Sequence, residues 1–190
     1  MSAVAARRGL PAAWWGMAML VAAEGTLLAV MVGTYFYLRF KNVVWPPPGI
    51  PEPKLALPLV LLAVLLSTSA PMQLAYAAAR GGRVARARAL LLLALLVQIG
   101  YFAVAVHSYA NDLHRFTPQD HAYGSIYYTL LGADHAHVFA GLLLSAWLLL
   151  KLARGLTRYR LNALLAIAFY WHAVNVLTLV VTLTVLSPAL

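Results

Sequence analysis

Five apolar stretches alternate with short polar segments along the chain, and each is long enough to cross a bilayer as a helix. They run from about Trp14 to Phe40, Leu55 to Ala78, Ala89 to Leu113, Tyr123 to Leu150 and Leu161 to Leu186. A helix needs ~20 residues to cross a ~30 Å hydrocarbon core. Lipid offers no partner to a backbone N–H or C=O, so these segments must be helical. The pattern predicts an all-α membrane protein, one bundle of five transmembrane helices forming a single domain over residues 1–190. The first span does not read as a cleaved signal peptide, because its apolar region is too long and Glu24 sits inside it. Between the first two spans, "WPPPGIPEPK" holds three consecutive prolines. They enforce an extended segment, expected to lie across the outer surface. The pattern shows neither an internal repeat nor a soluble domain.

Composition sharpens this reading. Of 190 residues, 63 % are hydrophobic and 10 % charged, more apolar surface than a soluble domain of this size can hide. The chain has no cysteine, which excludes disulfides, thiolate metal sites, iron–sulfur clusters and cysteine-attached haem. The net charge of +9 is read as cytoplasmic loop charge rather than as a nucleic-acid surface. Ten Lys and Arg residues lie in the N-terminal tail, the second loop and the fourth loop. Four lie on the opposite side, at Arg39, Lys41, Lys54 and Arg115. The expected topology puts the N-terminus in the cytoplasm and the C-terminus outside. Trp14, Trp15, Tyr35, Tyr37 and Trp45 fall near span ends, where amphipathic rings meet the membrane interface.

The candidate chemistry lies where the pattern is broken inside the spans. Glu24 is ten residues past Trp14, about 15 Å into the membrane. His137 is fourteen past Tyr123 and His172 eleven past Leu161, about 21 and 16 Å in from opposite faces. Three helices thus bring a carboxylate and two imidazoles to a common depth, where an unpaired charge costs several kcal/mol. Mutual hydrogen bonding is the expected solution, with His137 the first partner for Glu24 and His172 the second. Asn175, three residues after His172 on the same helix face, is placed to extend such a network. Asp134 and His137 share a face at i and i+3. His135 and His137, about 200° apart around a helix, cannot grip one ion together. No metal site is therefore expected. Glu24 reads equally as a packing carboxyl bonded to a neighbouring helix or as a proton-handling group. His107, His114 and His121 read as polar residues at a wet interface. Ser67, Thr68 and Ser69 read as small helix-contact residues bonding to backbone carbonyls.

These stretches, in order, resemble subunit III of haem–copper oxidases (cytochrome c and quinol oxidases) in its short five-helix bacterial form. "WWGMAMLVAAEGTLLAVMVGTYFYLRF" is similar to the family's first common helix with its buried glutamate, and "WPPPGI" to the proline loop that follows. "LLSTSAPMQLAYAAARGG" resembles the Ser/Thr-bearing helix. "AYGSIYYTLLG" with "HVFAG", and "YWHAVNVLTLVV", resemble the motifs of the last two helices. The departures are specific. Where the family reads His-Gly-Leu-His-Val, this chain has Asp134, His135, Ala136, His137 and Val138. The family's Gln and Glu near the end of its third common helix are Val106 and Tyr109, with His107 close by. Its Asp after Tyr-Trp-His-x-Val is Asn175.

The resemblance implies an accessory subunit with no catalytic residue, no metal and no cofactor of its own, haem and copper residing in partner subunits. It implies packing against subunit I, with subunit II and small subunits as further partners. It also implies structural phospholipid in a groove, support for sustained proton uptake, and a place in the bacterial plasma membrane as a multi-pass protein of the aerobic respiratory chain. Glu24 corresponds to the family's carbodiimide-reactive carboxyl. The residues expected to carry this role are a buried polar network of Glu24, Asp134, His137, His172 and Asn175. Lipid contacts are expected at Trp14, Trp15, Tyr35, Ser67, Ser69 and Tyr170. Alternatives within the family are a quinol oxidase or a nitric oxide reductase. Outside it stand a b-type cytochrome anchor, for which His137 and His172 are the credible ligand pair, and a transporter, which lacks support from repeats or broken helices.

Overall fold

The computed structural model describes residues 9–50 and 52–189. Its helices are α1 (Ala12–Lys41), α2 (Ala56–Ser67), α3 (Ser69–Arg80), α4 (Val84–Leu113), α5 (Ala122–Ala153) and α6 (Arg158–Leu186), followed by a 3-10 turn at Ser187–Ala189. No strand occurs among the described residues. With α2 and α3 acting as one crossing, five segments are long and apolar enough to span a membrane.

The second span is not one continuous helix, as the hydropathy pattern suggested. It breaks at Thr68, between α2 and α3. The reason is local. Pro71 has no N–H to offer the carbonyl of Ser67, and its ring clashes there. The chain tightens instead, with Thr68 N–H donating to the Leu65 carbonyl at 3.1 Å. The Ser67 and Thr68 hydroxyls donate to the carbonyls of Val64 and Leu65, at 2.6 and 2.5 Å.

The helix ends are closed by identifiable devices. After α3, Arg83 N–H donates to the Ala78 carbonyl at 2.9 Å and Gly82 N–H to Ala79 at 3.0 Å. This Schellman pair needs a left-handed residue, and Gly82 supplies it at φ 72°. Thr157 caps α6 by accepting from Arg160 N–H. Arg88, at the start of α4, donates to the last carbonyls of α5, Leu152 at 2.8 Å and Ala153 at 3.2 Å. A cation there also complements the negative helix end. In the α4–α5 loop, the Thr117 N–H donates to Asp120 at 2.6 Å and holds that carboxyl below the usual aspartate range.

The central helix is α6. In its most apolar stretch 56 % of residues are buried, against 6 % for α1. It packs on α1, α5, α3 and α2, while α4 bridges α3 and α5. Among the described residues α1 packs only on α5 and α6 and meets neither α2, α3 nor α4. Two apolar clusters result. One gathers around Trp171, Met72 and Leu91; the other around Tyr35, Tyr123 and Leu130. Trp45, from the proline loop, seats edge-on against Tyr35 at 5.5 Å and Tyr123 at 5.0 Å, which ties that loop to the second cluster.

Candidate functional site

The intramembrane polar residues fall into three separate sets on different helix pairs. The first joins α1 to α5. His137 Nε2 lies 3.0 Å from Glu24 Oε2, and His137 Nδ1 lies 2.6 Å from the Ala133 carbonyl of its own helix. The carboxylate side chain is 34 % exposed and the imidazole 11 %. This pair therefore sits at the margin of the bundle, with Glu24 open to whatever covers α1. Tyr170 secures the spot from α6, its hydroxyl donating to the His137 carbonyl at 3.1 Å.

The second set joins α5 to α6 in the interior. Asp134 is buried and accepts a hydrogen bond from the Thr178 hydroxyl at 2.7 Å. Thr178 was not singled out from sequence, although its signal was present. It stands three residues beyond Asn175, on the face that α6 turns inward. His135, one residue on, points away from His137, toward the Leu131 carbonyl and the rings of Phe102 and Tyr109.

The third set is a ladder between α3 and α6. Trp171 Nε1 donates to the Thr68 hydroxyl at 2.7 Å and Asn175 Nδ2 to the Ser69 hydroxyl at 2.6 Å. His172 Nε2 lies 3.3 Å from Gln73 Oε1. Gln73 was also missed in the sequence, though it stands four residues from Ser69 on one helix face. His172 and Asn175 thus turn to α3 rather than to Glu24. His137 and His172 have different partners on different helices. Among the described residues no group of three or more His, Asp or Glu side chains is placed to hold a metal ion.

Close helix approach makes these contacts possible. A Cβ added at Gly141 would lie 2.6 Å from Trp171 Cζ3, so only glycine lets the indole lie flat against α5 while it reaches Thr68. Gly124 plays the same part at the loop end, where its Cβ would strike the Thr117 carbonyl.

The residues expected to meet lipid divide by position. Trp15 is 54 % exposed, Ser67 is exposed, and Trp14 and Ser69 are partly buried. Trp14 lies against Phe169 with ring centroids 5.0 Å apart and planes tilted by 49°. Tyr35 and Tyr170 are buried inside the bundle and offer a lipid almost no surface. Among the described residues α1 and the second span do not meet.

Five segments long and apolar enough to cross a membrane, joined by inter-helix hydrogen bonds, define a multi-pass helical membrane protein. Comparison with known proteins identifies which one. The family model for Cytochrome c oxidase subunit III matches residues 3–187. The chain is 30 % identical over 165 residues to a "Probable cytochrome c oxidase subunit 3" of Nocardia farcinica, covering 85 % of this chain and 80 % of that one. It is 26 % identical over 166 residues to the Bacillus subtilis "Cytochrome c oxidase subunit 3", covering 85 % and 79 %. It is 29 % identical over 175 residues to that of Branchiostoma lanceolatum, covering 82 % of this chain and 65 % of that one. The chain belongs to the cytochrome c oxidase subunit III family. It spans just under two thirds of the length of its lancelet relative.

Proposed function

We propose that this chain acts, as one membrane domain, as the accessory subunit III of a proton-pumping haem–copper terminal oxidase in a bacterial plasma membrane. It performs no chemistry itself. It packs against subunit I, with subunit II and small subunits nearby, and sustains proton uptake and turnover during aerobic electron transport to oxygen. The haem and copper of the reaction belong to those partners. The single observation that carries this reading is the family match over nearly the whole chain.

The geometry adds a second line of support. The outward face of α1 carries Met19, Leu27, Val30 and Phe40, all well exposed, and Glu24 opens at its edge. Such a face calls for a neighbouring membrane helix or for lipid. Bound phospholipid belongs to the same proposal, on the exposed apolar surface rather than at the buried tyrosines. The cation-rich loops support an N-terminus in the cytoplasm and a C-terminus outside.

Mass spectrometry of the native complex is the test. Co-purification with a haem–copper subunit I is the expected result, and its companion subunit identifies cytochrome c or quinol as the electron donor. A complex whose catalytic subunit is a nitric oxide reductase would transfer the proposal to that enzyme. Co-purification with a dehydrogenase alone would overturn it.

A further inference from the structure

A cavity of about 330 Å³ opens beside the α4–α5 loop and runs inward between α2, α4, α5 and α6. Its mouth carries Glu52, Lys54, Asp112 and Arg115, and its inner wall includes Asp134 and His135. Asp134 lies twelve residues beyond the first residue of α5, about 18 Å along the helix. The cavity therefore connects the charged loop surface to the middle of the membrane. The Glu24–His137 pair lines no part of it.

The inner wall is incompletely satisfied. One Asp134 oxygen accepts from Thr178; the other has no hydrogen-bond partner among the described residues. His135 uses one ring nitrogen on the Leu131 carbonyl and leaves Nε2 buried without a partner. An acyl chain in this space would leave both groups unpaired, which is costly in hydrocarbon. Water would satisfy the second Asp134 oxygen, and the space far exceeds the ~10–15 Å³ that admits one molecule.

We propose that this cavity is a water-filled inlet through which Asp134 exchanges protons with the aqueous phase at the α4–α5 loop. The proton leaves the unpartnered oxygen for a cavity water and passes to bulk as hydronium. The carboxylate left behind keeps its hydrogen bond from Thr178. Tyr101 from α4 and His135 and His137 from α5 lie near enough to the same carboxyl to interact with its charge. Along the wall α2 contributes Leu57, Pro58 and Leu61, none of which titrates. The charges at the mouth set the field that an entering proton meets. This reading goes beyond the role proposed above and does not depend on which catalytic subunit the chain joins.

The absence of cysteine from the chain makes a direct test possible in the intact complex. Ser108→Cys, Ala105→Cys and Leu131→Cys mark the wall, and Phe139→Cys, on the outer surface of α5 at 49 % exposure, serves as the membrane-facing control. A charged, impermeant methanethiosulfonate attacks thiolates, which form only where water reaches. It should modify the three wall positions from the loop side alone and leave position 139 unreacted. Wall thiols no more reactive than the one at 139 would overturn the inlet. In the complex carrying this chain without introduced cysteines, the infrared carboxyl or carboxylate bands removed by Asp134→Asn should shift in D2O or interconvert as bulk pH is stepped. Bands unmoved by both changes would overturn proton exchange at Asp134.

Discussion

At the residue scale, the Glu24–His137 contact separates a packing role from a protonic one. The pair is 3.0 Å apart and Glu24 is the more exposed partner. Replacing Glu24 by glutamine preserves shape and a hydrogen-bonding group, so the complex should assemble. Replacing it by alanine leaves the inward-facing imidazole without its partner, at a cost of about 1–3 kcal/mol, and should lower the thermal midpoint of the complex. We expect Glu24→Gln to leave initial oxidase activity intact while the enzyme inactivates faster in sustained turnover, since only the carboxyl can release a proton. Equal lifetimes for wild type and Glu24→Gln at high turnover would reduce Glu24 to a packing residue.

At the element scale, the break between α2 and α3 serves the seam with α6. The Pro71 interruption leaves the Thr68 hydroxyl free to accept from Trp171, and Ser69 follows by accepting from Asn175. Thr68→Val keeps the shape but leaves a buried indole N–H without an acceptor, which costs about 1–3 kcal/mol. Pro71→Ala inserts a residue that favours helix by about 3 kcal/mol, yet it should also destabilise. It fuses α2 with α3 and draws both hydroxyls from their α6 partners. The double variant should lose less stability than the sum of the two single losses. Strictly additive thermal shifts would show that the break and the Trp171 bond are independent.

At the scale of the whole molecule, the bundle is asymmetric. Its centre is α6, braced by α2, α3 and α5 with α4 bridging α3 and α5, while α1 lies against one side with most of its surface uncovered. Among the described residues no group of three or more His, Asp or Glu side chains is placed to hold a metal ion, and His137 and His172 bond to different helices. The chain separated from its complex in mild detergent should therefore be colourless. A Soret band that stays with the separated chain, removable by His137→Ala or His172→Ala, would contradict this assignment.

Sequence alone determined the helical class, the number of membrane crossings and the family, because these depend on span length, hydropathy and ordered motifs, all local properties. It also placed Glu24 and His137 at compatible depths, since rise per residue is constant along a helix. It could not tell which faces meet. A rotation of α6 about its axis exchanges one set of partners for another without changing any depth. Only the packed structure sends Asn175 and His172 to Ser69 and Gln73 and pairs Asp134 with Thr178. Tyr35 looked interfacial from its place near a span end, yet the proline loop folds back over it through Trp45 and buries it. The break at Thr68 was missed, although Pro71 carried its signal, and its purpose was not legible, because Trp171 lies 103 positions away and reaches the hydroxyl only across the opening that Gly141 leaves. Depth and composition are written along one helix; partnership requires two.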